Sequence, residues 1–158
     1  MITAYQIIKI FHFLGFIVAI GTTVASAVAY RYFWRQYKLD HTRVKSIFQL
    51  IQGVQIAGMI GMVTLLIAGI TMLSIVHGAF TSVLWFQIKL GLIVLIFANG
   101  LTLGRTTAKG LKNLVEQSDA PQDQAVEALR LKSNATLFSA VQLTIFSLIV
   151  ILSILKIN

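Results

Sequence analysis

Residues 5–20 read YQIIKIFHFLGFIVAI, a run apolar enough to sit in lipid that nevertheless holds Lys9 and His12. It continues to Phe33 with little interruption, longer than the roughly 20 helical residues that cross a hydrocarbon core. That length decides the fold. Three further apolar runs meet the same requirement, and the candidate helices cover residues 5–33, 47–76, 83–103 and 121–155. The last begins outside the apolar region, because Ser118-Asp119-Ala120-Pro121 reads as a helix start with Pro121 in the first turn. The predicted fold class is all-α: an integral membrane four-helix bundle in a single domain, residues 1–158, with the lipid bilayer as its first partner. Composition agrees, since 158 residues that are 57% hydrophobic and 11% charged, with mean hydropathy +0.84, would precipitate as a water-soluble domain.

The net charge of +8 is distributed unevenly. Arg31, Arg35, Lys38, Arg43 and Lys45 lie between the first two runs, and Arg105, Lys109, Lys112, Arg130 and Lys132 between the last two; only Lys9, Lys89 and Lys156 fall on the other side. By the positive-inside rule both basic loops are expected in the cytoplasm and both termini outside. Anionic lipid suffices to account for the basic loops, and nothing reads as nucleic-acid binding. Ala25-Ser26-Ala27 imitates a cleavage site, but the apolar stretch is too long and its basic flank follows it, so a retained helix is expected. With no cysteine in the chain, disulfides, thiolate metal sites and cysteine nucleophiles are excluded. Phosphate loops, HExxH and Ser/His/Asp sets are also missing.

Along the chain, the first helix ends in the aromatic and basic band 30–35, suited to a membrane interface. Residues 36–45 form a short predicted loop, with Asp40 or Thr42 as the cap of the second helix and His41 as a solvated histidine. Gly53, Ala57 and Gly61 make a small-residue ladder expected to contact a neighbouring helix, and Gln52 and Gln55 are expected interhelical hydrogen bonders. His77 closes that helix and points away from the face of Gly61. Trp85 is a candidate interface anchor, Asn99 a candidate partner for a neighbouring helix. Glu116, Asp119, Asp123 and Glu127 alternate with basic residues and read as a solvated face.

Chemistry is expected at His12. An ionisable side chain at such depth is expensive and ordinarily faces a bundle interior, and His12 heads a stripe of small residues: Gly15, Ala19, Thr22 and Ser26. Lys89 enters from the third helix at similar depth, either snorkelling to the surface or meeting His12 inside. A neutral imidazole is a good haem-iron ligand, and a lysine pairs with a propionate or, neutral, binds metal. Phe11, Phe13, Phe16 and Phe86 are candidates to pack on a flat macrocycle. His12, Lys89 and Lys9 are thus the candidate cofactor-binding residues, with His12 the metal ligand and Lys89 the candidate catalytic group.

Residues 9–15, KIFHFLG, and 85–90, WFQIKL, resemble paired motifs of the four-helix bacterial membrane protoporphyrinogen oxidases and of the related copper-resistance D-type and predicted integral membrane families. The resemblance implies a bacterial inner-membrane protein that binds haem b through His12 and Lys89, with a redox activity. The chain differs from the oxidases at Gly21-Thr22-Thr23, where they carry a tryptophan, and at Asn99-Gly100, where they carry a histidine. Those differences bear on the oxidase reaction more than on tetrapyrrole binding. Two other readings stand beside this one. One is a scaffold or assembly subunit of a homo-oligomer or larger membrane complex. The other is a small transporter or channel with Lys9, His12 and Lys89 in an anion-attracting vestibule.

Overall fold

The chain enters its first helix through a reciprocal cap: Thr3 Oγ1 accepts from the Gln6 amide at 3.4 Å while Gln6 Oε1 accepts from the Thr3 amide at 2.9 Å. From there α1 (Ala4–Gln36), α2 (His41–Ile75), α3 (Leu84–Asn99), a π-helical turn (Gly100–Gly104), α4 (Arg105–Glu116) and α5 (Gln124–Leu155) follow in order. The computed structural model describes residues 3–37, 39, 41–78, 81–116 and 124–155, and the backbone alone at 41, 42, 124 and 125. The chain is all-helical there, with four helices long and apolar enough to cross a membrane: Ala4–Gln36, Arg43–Ile75, Leu84–Glu116 and Val126–Leu155. Between 11 and 28% of the most apolar window of each is buried inside the bundle, so most of that apolar surface faces outward, which is compatible with contact to a lipid bilayer.

Three helix boundaries differ from expectation. α2 starts at His41, so there is no loop as long as 36–45, and α3 does not stop at 103 but runs through the π turn to Glu116. In both places the helix is amphipathic. Val44, Ile47, Phe48 and Ile51 of α2 and Leu111 of α4 pack with Ala29, Tyr30, Phe33 and Ala135, while the charged residues between them face out. Hydropathy detects the lipid-embedded length and misses such turns. α1 likewise begins at Ala4 and ends at Gln36, beyond 5–33. The start expected at Pro121, the caps at Asp40 and Thr42, and the side chains of His41, Asp119 and Asp123 lie outside the described residues.

α1 packs along α2 and also against α5; α3 lies on α5 and not on α1 or α2 at backbone distance, and α4 returns to both α2 and α5. At the end of the bundle with the basic residues, hereafter the basic end, α1, α2, α4 and α5 share one apolar core. Nearer the opposite end, Ala19, Ile96, Ile145, Phe146 and Ile149 form a second core with Phe16 and Met62 at its edge. Phe16 meets Phe146 edge-on, with ring centroids 6.0 Å apart.

The α1–α2 seam is the closest. A Cβ placed on Gly15 would lie 2.8 Å from the Leu65 amide nitrogen, and one on Gly61 2.8 Å from Val18 Cγ1, so only glycine allows this approach. The expected ladder is corrected here. Gly53 is exposed with open space where a Cβ would stand, and the α2 face against α1 runs through Gly58, Gly61 and Leu65. The covered face steps by three and then four from Gly58 to Gly61 to Leu65, whereas a strict step of four drifts about 40° each time and has left that face by Gly53. Gln55 does reach across, donating to the Tyr30 hydroxyl at 2.7 Å, but Gln52 is exposed. α2 then closes with the amides of Gly78 and His77 donating to the carbonyls of Leu73 and Ser74, both at 3.1 Å. This closure puts exposed His77 at φ 51, a left-handed position usually held by glycine.

Candidate functional site

His12 lies eight residues into α1, roughly 12 Å along its axis, and Lys89 five residues into α3, roughly 8 Å. Both stand at the end opposite the basic one, one turn outward from the Phe16 and Leu92–Ile93 edge of the second core. The His12 ring is half-buried and turned toward α2, with Nδ1 3.1 Å from the Leu65 carbonyl oxygen. A carbonyl only accepts, so Nδ1 carries the hydrogen and donates it, and Nε2 of the neutral ring keeps its lone pair. Among the described residues Nε2 has no hydrogen-bond partner. Gly69 lies beside the ring, where a Cβ would meet His12 Cε1 at 3.4 Å, an ordinary van der Waals contact.

Lys89, a half-buried residue, donates through its ammonium to Ser153 Oγ at 3.2 Å, and Ser153 Oγ donates onward to the Ile149 carbonyl at 2.7 Å. Serine takes one of three ammonium donors, and no carboxylate pairs with Lys89 among the described residues. His12 and Lys89 thus take separate partners, Leu65 and Ser153, and α1 and α3 share no backbone contact. Among the described residues the carboxylates, Glu116 and Glu127, lie at the basic end, so no described carboxylate stands beside Lys9 or Lys89, while His12 Nε2 is free.

Other expected members are placed differently. Lys9 is exposed, and so are Phe11 and Phe13 at 54% and 55%, on the outer surface of α1 rather than around the imidazole. One residue either side of His12 is about 100° around a helix, so a ring facing α2 turns both phenylalanines outward. Phe16 belongs to the second core, and Phe86 stacks edge-on with Trp85 at 5.8 Å. Asn99 behaves as expected of a polar bridge: buried, it donates to Gln142 Oε1 at 2.9 Å and to the Phe138 carbonyl at 3.2 Å. Glu116 pairs with Lys112 at 3.8 Å on an exposed face.

Two partners were not foreseeable from residue types. Leu65 acts through its carbonyl, which carries no side-chain signature. Ser153 looks like any small residue of a membrane helix. No group of three or more His, Cys, Asp or Glu able to hold a bare metal ion occurs among the described residues. Compared with family models, with curated proteins and with solved structures, the chain matches none.

Proposed function

We propose that the protein is a haem b-binding integral membrane protein, in which His12 Nε2 would hold the iron and Lys89 would pair with a propionate. In this reading it sits in a bacterial inner membrane, basic loops in the cytoplasm and termini outside. The observation that carries it is the His12–Leu65 hydrogen bond, which spends Nδ1 on a carbonyl and leaves Nε2 available. Metal-bound histidines are ordinarily oriented in this way by the second ring nitrogen.

The residues fit the group. A macrocycle brings four nitrogen donors of its own, so one imidazole suffices where the described residues offer no three-residue metal cluster. Bound haem supplies one-electron chemistry. The chain contributes the rest: Leu65 fixes the tautomer, Gly69 lies beside the ring, and Ser153 holds an ammonium that no described carboxylate pairs with. Lys9, one turn before His12 and exposed, adds positive charge on that side. The differences from the oxidase pattern favour electron transfer over porphyrinogen oxidation.

The test is the visible spectrum of protein expressed with ample haem. A Soret band lost in His12→Ala, and weakened in Lys89→Met with helicity unchanged, is the expected result. Colourless wild-type protein would reject the reading. A second reading has an observation of its own, because the His12–Leu65 bond lies against the closest stretch of the α1–α2 seam. There it would serve as an interhelical clamp in a non-enzymatic subunit. That role gives His12→Ala a stability loss of about 0.6 kcal/mol, the average for such bonds in membranes, and no chromophore in either protein.

A further inference from the structure

A cleft at the basic end, far from His12, has a volume of about 540 Å³. It lies between one face of α1 and one face of α5. Arg31 and Arg35 come from α1 and Lys132 from α5; deeper along the same faces lie Ala27, Ala140 and Leu143. From Arg35 to Ala27 is roughly 12 Å along α1 and from Lys132 to Leu143 roughly 16 Å along α5. The cleft thus changes from cationic to apolar along the bundle axis. Arg31, Arg35, Lys132 and Ala140 are exposed on the bundle surface, so it opens sideways to the surroundings of the helices.

Among the described residues none of the three cations is in an ion pair or hydrogen-bonded through its side chain, and no described carboxylate lines the cleft. Trp34, which also lines it, has an indole N–H buried without an acceptor. A free anion would need the cationic mouth alone. An amphiphile with a negative head and an acyl chain is complementary to mouth and floor together.

We propose that this cleft binds one anionic phospholipid, its phosphate between Arg31, Arg35 and Lys132 and an acyl chain laid against Ala27, Ala140 and Leu143. Basic recesses between membrane helices suit anionic headgroups by charge, and the smallness of the two alanines leaves room for the chain. The site is independent of His12, and bound lipid would bridge α1 and α5.

The test is native mass spectrometry of the protein in neutral detergent with phosphatidylglycerol or phosphatidylcholine of identical chains. Preferential retention of phosphatidylglycerol is expected, falling about fivefold for each of Arg31→Gln, Arg35→Gln and Lys132→Gln. The combined variant Arg105→Gln, Lys109→Gln, Arg130→Gln removes equal charge away from the cleft and should keep the preference. Ala140→Phe should expel the lipid with all cations in place. Equal retention of the two lipids by wild-type protein would overturn the proposal, as would an equal loss in the off-cleft variant. Displacement by inorganic phosphate as effective as by phosphatidylglycerol would overturn it in favour of a soluble anion.

Discussion

The α1–α2 and α3–α5 seams solve one problem in opposite ways. Lipid tails are as apolar as leucine, so burial does not drive membrane helices together, and close packing or polar bonds must do so. α1 and α2 use closeness: Gly15 and Gly61 bring the backbones together, and His12 adds one bond. α3 and α5 use polar links, Asn99 to Gln142 near the middle and Lys89 to Ser153 toward the end opposite the basic one. The first seam is intolerant of volume and the second of lost polarity. A cofactor or any other guest is therefore easier to admit beside α3 than between α1 and α2.

Substitutions that exchange these sensitivities test the contrast. Gly15→Leu should have the largest effect, about 3 kcal/mol, because its Cβ meets α2 backbone that cannot rotate away. Reversible unfolding in mixed micelles measures it; a loss below that of any α3–α5 variant would break the comparison. Asn99→Ala should cost about 1–2 kcal/mol by leaving Gln142 buried without its donor. The double variant Asn99→Leu, Gln142→Leu should recover much of that loss, which sharpens the distinction between polar bond and packing.

The smallest effect lies just beyond the α1 span. Burial first, and then the Glu127 carboxylate, push the Tyr37 phenol up from its ordinary value of 10.0. The folded state holds that proton more tightly, so the contribution is complete below pH 10 and is lost as pH rises through the higher folded value. An ultraviolet titration of Tyr37→Phe should lose one late-titrating tyrosine relative to the wild type, and in Glu127→Gln that tyrosine should titrate earlier.

The four spans were legible because each apolar run is long, and His12 because an imidazole stands out among Ile, Phe and Leu. The early start of α2 and the continuation into α4 were not, because Arg43, Lys45, Lys109 and Lys112 lower the local hydropathy while alternate turns supply Val44, Ile47, Leu111 and Leu114 to the core. Gly53 misled because a spacing of four does not say which face is covered. The cleft was invisible for a different reason. Its cations are some hundred residues apart in sequence, and only the α1–α5 packing makes them neighbours.

Within the π turn the Arg105 amide reaches back to the Gly100 carbonyl, five residues earlier instead of four. One surplus residue is thus accommodated, offsetting the angular phase of everything after it by about 100°. Asn99 faces α5 on one side of the offset, and Leu111 and Leu114 face their cores on the other. Excising a single residue from Gly100–Gly104 would let the spiral wind evenly, yet swing either the amide bridge or the leucine pair toward lipid. The irregular turn is therefore the gearing that lets one continuous rod serve two differently oriented halves of the assembly.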